Sequence, residues 1–98
     1  MGDDLYLKCQ CSQGAFSNEY LISFHTNDGA EKFCFVKKED VIVQEEPSRI
    51  NHPEGLVKIV LKRLEKNNAI VRITDVGNQE VRDYTVDTYR IVNQSKIK

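Results

Sequence analysis

The chain has no apolar run approaching the ~20 residues that a membrane-spanning helix requires. Its first residues, Met1-Gly2-Asp3-Asp4, are acidic where a secretion signal carries positive charge ahead of an apolar stretch. Residues with special chemistry are also scarce: two prolines, five glycines, three cysteines and two histidines among 98 residues. No glycine-rich loop suited to a phosphate is present, no nucleophile elbow, and no carboxylate pair spaced for acid–base work. An odd number of cysteines without a secretory signal argues against a disulfide framework. The expectation is a cytoplasmic protein with reduced thiols. Asn93-Gln94-Ser95 matches a glycosylation sequon, which matters only in a secretory pathway, and is read as chance. Ser12 follows Met1-Gly2 too late for myristoylation.

Charge of one sign is lacking as well. Fourteen basic and 15 acidic side chains leave a net charge of −1. That excludes a strongly basic nucleic-acid binder and a polyanionic tail. The 40% hydrophobic and 30% charged content is that of a globular chain and not of a disordered one. The length holds one small domain, taken as residues 1–98.

Hydrophobic residues mostly recur with period two, the signature of half-buried strands. Leu5 to Cys11 alternates, Ser12 to Glu19 is a polar hairpin loop, and Tyr20 to His25 places Tyr20, Ile22 and Phe24 on one face. Asn27-Asp28-Gly29 is a tight-turn signal, since Asp-Gly supplies positive φ. Strands over Phe33–Val36 and Val41–Val43 flank the polar turn Lys37–Asp40. Residues 44–55 hold both prolines and read as a connector. The pattern restarts at Leu56–Leu64, then Ala69–Thr74, Val81–Val86 and Tyr89–Val92, with a turn at Asp75–Gln79 and a frayed tail from Asn93. Leu56–Leu64 also fits helical spacing, but its β-branched Val57, Ile59 and Val60 favour a strand.

The two halves, 5–43 and 56–92, look like copies of one unit. Leu7-Lys8-Cys9 lies over Val57-Lys58-Ile59, and Cys11 falls on Leu61. Tyr20, Ile22 and Phe24 fall on Ala69, Val71 and Ile73, and Ile42-Val43 on Ile91-Val92. A unit of about 40 residues cannot bury its apolar face alone, so two should pack face to face. The stretch Phe35-Val36-Lys37-Lys38-Glu39-Asp40-Val41-Ile42-Val43 resembles the last turn of SH3-like barrels. It carries none of that family's aromatic or proline positions, so it bears on fold alone. The expected fold is all-β with little or no helix: a small SH3-like barrel or sandwich of two pseudo-symmetric β-meander units.

Four groups of residues carry possible chemistry. Cys9 and Cys11 share a strand face and, with Cys34 and His25, would supply a Cys3His zinc set. The repeat opposes this, because it aligns both cysteines with the core positions Ile59 and Leu61. His25 also points away from Phe24, so no metal and no cofactor is assigned. A nucleophile–base pair would need His25 or His52 beside Ser, Cys or Asp in three dimensions, and with no nucleophile elbow the reading is against an enzyme.

Phe16 stands in the first hairpin loop among Gly14, Ala15, Ser17 and Asn18. It is either a binding anchor or, the favoured reading, a plug for the open end of the fold. Tyr6 and Lys8 add an outward aromatic and a cation beside it in the binding reading. The charge is also uneven: residues 1–49 carry 9 acidic and 5 basic groups, residues 50–98 carry 6 and 9. Lys58, Lys62 and Arg72 should share an outward sheet face, the alternative nucleic-acid surface. The first reading is a non-enzymatic binding or accessory module acting on a protein partner, monomeric or homodimeric. A nucleic-acid-binding β domain and a zinc-stabilised regulatory domain are the alternatives.

Overall fold

The structure, a computed structural model, describes residues 4–93. It is all-β. The strands are β1 (Leu5–Gln13), β2 (Glu19–His25), β3 (Glu31–Lys37), β4 (Val41–Val43), β5 (Glu54–Leu64), β6 (Asn68–Asp75), β7 (Glu80–Asp87) and β8 (Ile91–Asn93). Single 3-10 turns, Lys38–Asp40 and Thr88–Arg90, lead into β4 and β8. Tyr89 therefore belongs to a turn and not to the last strand. The sequence readings for Met1–Asp3 and for the tail after Asn93 lie outside the described residues.

The strands form one antiparallel sheet in the order β3-β2-β1-β5-β6-β7, curled into a half-barrel. The expected face-to-face stacking is not how the halves meet. They join edge to edge, through β1 and β5, with Leu7 opposite Val57 at the middle of the pairing. Backbone groups on two strand edges satisfy each other this way, and the curl still buries one face. The last strand of each half crosses over: β4 pairs with β5, and β8 with β1. The outer strands β3 and β7 are tied across the curl. Asn27 N donates to the Thr85 carbonyl at 2.9 Å, and Val76 N to the Phe35 carbonyl at 2.8 Å.

Alternation along each strand decides what enters the curl. Leu7, Cys9 and Cys11 from β1 meet Tyr20, Ile22 and Phe24 from β2, Cys34 and Val36 from β3, and Val57, Val71, Ile73 and Val86 from the other half. Leu61 is the exception. It aligns with buried Cys11 but is 37% exposed, because β5 runs on past the core into a bulge between Leu61 and Arg63. Gly29, at φ +87°, supplies the positive φ expected of the Asn27-Asp28-Gly29 turn.

Connector 44–53 is held to the sheet by Tyr20. Its hydroxyl donates to a Glu46 carboxylate oxygen, and Lys38 stands over its ring at 5.0 Å. Burial, then the bond to Glu46, pushes Tyr20 up to about 12. Burial, then the bond to Cys34, does the same for Tyr84. An unfolded tyrosine ionises near ~10. A raised folded value means stability that is full below ~10 and lost as pH rises through about 12. Urea midpoints should fall across that window, and a Tyr20→Phe, Tyr84→Phe double variant should fall less steeply. Equal slopes would contradict the assignment.

Candidate functional site

The loop between β1 and β2 does not fold back. Phe16 is 71% exposed, so it is not a plug. The loop is nonetheless fixed. Glu19 N donates to the Phe16 carbonyl at 3.3 Å, and Lys38 N to the Asn18 carbonyl at 3.1 Å. A Cβ on Gly14 would stand 2.5 Å from the Glu19 carbonyl oxygen, so the chain closes there only with glycine.

The β6–β7 turn, residues 76–79, faces this loop and is equally fixed. The buried Asp75 carboxylate accepts from Gly77 N at 3.0 Å, Asn78 N at 3.2 Å and Asn78 Nδ2 at 3.0 Å. A Cβ on Gly77 would meet the Phe35 ring at 2.7 Å. Gln79 takes φ 54°, a left-handed value unusual outside glycine.

Between loop and turn lies a cleft of about 650 Å³. Phe16 forms one wall, Val76, Gly77 and Gln79 the other, with Glu19 and Lys37 among the lining residues. Glu19 is 7% exposed. It sits directly across from Lys37 in the β2–β3 register. The two side chains form no ion pair with each other or with any other described residue. The cleft thus offers an aromatic face, a largely desolvated carboxylate and a free ammonium within one fixed frame.

Of the residues expected to bind, Phe16 alone lies here. Tyr6 is 8% exposed, contrary to its reading as an outward aromatic. It sits in β1 between Lys58 of β5 and Val92 of β8, covered from both sides. Lys8 is exposed, but it lies five residue steps along β1 from Gln13, about 17 Å of strand. Phe16, Tyr6 and Lys8 therefore form no common site.

On the alternative surface, Lys58 and Arg72 flank Val60. Arg72 forks onto Asp83, with Nε–Oδ1 at 2.7 Å and Nη2–Oδ2 at 3.2 Å. This contact holds the Asp83 carboxyl below its usual range. Lys58 Nζ is 3.8 Å from Asp4. Lys62 lies in the β5 bulge. Carboxylates beside two of the three cations weaken the field that a nucleic-acid backbone would meet.

The cysteines are separated by the sheet itself. Cys9 and Cys11 are adjacent, Sγ to Sγ 4.0 Å. Cys34 lies two strands away, with Ile22 between it and Cys11 in register. Two strand spacings are about 10 Å, well beyond the span of one tetrahedral zinc site. His25 is exposed on the opposite face. Among the described residues no trio of His, Cys, Asp or Glu converges on a metal position.

All three thiols are buried. The hydrogen bond shared with Cys11, then burial, pushes Cys9 up, the same contact lowers Cys11, and burial pushes Cys34 up. Thiolate is the reactive form. Because all three are shielded by the sheet, native protein at pH 7.5 should react with a disulfide reagent far more slowly than denatured protein. Rapid native labelling of all three would contradict this packing.

Glu19, Lys37 and Gln79 carried no sequence signal. The first two read as polar strand ends, and nothing marks a glutamine for positive φ. Searches of protein-family models, curated proteins and solved structures find no match to this chain.

Proposed function

We propose that this chain is a non-enzymatic binding module whose partner is a protein segment seated in the cleft between the Phe16 loop and the β6–β7 turn. One observation carries the reading. A large aromatic is left in solvent on a loop that the fold holds rigid, facing a second rigid turn. An ordered apolar side chain beside a buried carboxylate and an exposed ammonium gains affinity because little entropy remains to be lost on binding. Glu19 and Lys37 supply both signs of charge, suited to a peptide backbone with polar side chains. A cytoplasmic setting fits the buried free thiols, and no described helix is long and apolar enough to cross a membrane.

We also infer that the halves arose by duplication into two SH3-like units that exchange their last strands. The pairings support this. Adding 50 to Val41↔Val57 gives the β8–β1 pair Ile91↔Leu7, with the halves exchanged. Asn27–Thr85 maps onto Val76–Phe35 with an offset of 49 at the donor residue and 50 at the acceptor residue. The last strand aligns as Val41-Ile42-Val43 over Ile91-Val92-Asn93, one residue from the sequence alignment. Each half also carries its 3-10 turn immediately before that strand.

The test is selection from a displayed library of random 12-residue peptides, with counter-selection on Phe16→Ala. Enriched peptides should bind the native chain and lose at least tenfold in affinity on Phe16→Ala. Stability should change by less than about 0.5 kcal/mol, as for an exposed side chain. No enrichment, or equal binding by Phe16→Ala, would overturn the reading. Loss of Lys58 and Lys62 to Glu with salt-sensitive RNA or DNA binding would favour the nucleic-acid alternative.

A further inference from the structure

The β1 flank facing away from β5 is shared by two strands. β8 pairs with Leu5–Leu7 and β2 with Gln10–Gln13. Lys8 and Cys9 have no strand partner on that flank, and a notch of about 270 Å³ opens there. The turn Thr88–Arg90 delivers Arg90 into it just before β8 begins. Arg90 Cζ lies 5.3 Å over the Tyr89 ring, and its buried Nε has no hydrogen-bond partner among the described residues. A buried donor of this kind calls for an acceptor, since leaving it unmade is costly. Lys8, Gln10, Ser23 and His25 line the same notch, with Glu54 as its one acidic member. Lys8 makes no ion pair with a described residue.

The other half contains a control. β5 is flanked in the same way by β4 and β6, and a notch opens beside Lys58 and Ile59. There Asp40 occupies the turn position that Arg90 holds. The cations Lys58 and Arg72 are already matched by Asp4 and Asp83. The fold alone therefore does not make such a notch positive; Arg90 and unpaired Lys8 do.

We propose that the Lys8–Arg90 notch binds a phosphate-type oxyanion, with the Arg90 guanidinium and Lys8 Nζ as its charged donors and Ser23 and Gln10 as neutral ones. Donors arriving from separate strands suit a tetrahedral group with several acceptor oxygens better than a planar carboxylate. Glu54 opposes the anion and sets its affinity low. This site is independent of the Phe16 cleft.

The test is a ¹⁵N-resolved NMR titration of the full chain with inorganic phosphate at constant ionic strength, repeated with phosphoserine. Saturable shifts should gather at Lys8–Gln10, Ser23–His25 and Arg90. Arg90→Ala should weaken binding at least tenfold, and Glu54→Gln should tighten it about threefold. Lys8→Gln, at an exposed position, should weaken it at least threefold and keeps the test valid if Arg90→Ala fails to fold. Phosphoserine binding as well as phosphate points to a phosphomonoester ligand; binding tenfold worse points to the free ion. Unsaturable shifts spread over Lys58, Lys62 and Lys66, or affinity unchanged in Lys8→Gln, would overturn the site.

Discussion

Ile22→Ala should lower the unfolding free energy by about 3 kcal/mol, within the range for buried isoleucine truncation. Ile22 is fully buried in the middle of the β3-β2-β1 segment, between Cys11 on one side and Cys34 on the other. Its neighbours are fixed by backbone pairing on both sides, so the cavity left behind has little freedom to collapse. A domain of this size holds only some 5–10 kcal/mol in total. The loss should be plain in urea unfolding at neutral pH. A loss below about 1 kcal/mol would mean that the curl is loosely filled.

Gly55→Ala should cost about 2 kcal/mol by overpacking, although alanine is otherwise the better strand residue. The added Cβ would stand 2.6 Å from Cys11 Sγ and 3.0 Å from the Ile42 carbonyl oxygen. Gly55 pairs with Cys9 on one side and Val43 on the other, at the place where both halves meet. The clash with sulfur can be separated from the clash with backbone. In a Cys11→Ala background the same substitution should cost at least about 1 kcal/mol less, the coupling expected of residues in contact. Strict additivity would show that the Ile42 carbonyl, and not the thiol, is the limiting neighbour.

That glycine also shows where sequence reading stopped. Gly55 looked like the end of a connector, because glycine commonly punctuates loops. In the fold it lies inside β5, which begins at Glu54, and its smallness serves a close approach between strands. The period-two alternation was legible in β1, β2, β3, β5 and β6 because one face of each is buried over part of its length. Tyr20, Ile22 and Phe24 all enter the core, as their spacing required. What alternation cannot convey is how a strand is flanked. Tyr6 reads as outward and exposed, but β5 and β8 on either side cover it. Leu61 reads as inward, but β5 outruns the core and bulges.

The site was half legible. Phe16 was visible as an aromatic among small residues. Its exposure was not, because plug and anchor share one sequence. The opposing turn was invisible as a binding wall: Val76, Gly77 and Gln79 face the first loop only when β6 and β7 curl round to it. Lys8 was chosen beside Tyr6, yet the structure associates it with Arg90, 82 positions later in the chain.

The most direct test of the central claim is a ¹⁵N-resolved titration of the native chain with a peptide enriched by the display selection. Shifts should concentrate at Phe16–Glu19, Lys37 and Val76–Gln79, on both walls of the cleft. Shifts centred on Leu61, Leu64 and Tyr89, with the Phe16 loop unmoved, would contradict it and place the binding surface at the far end of β5.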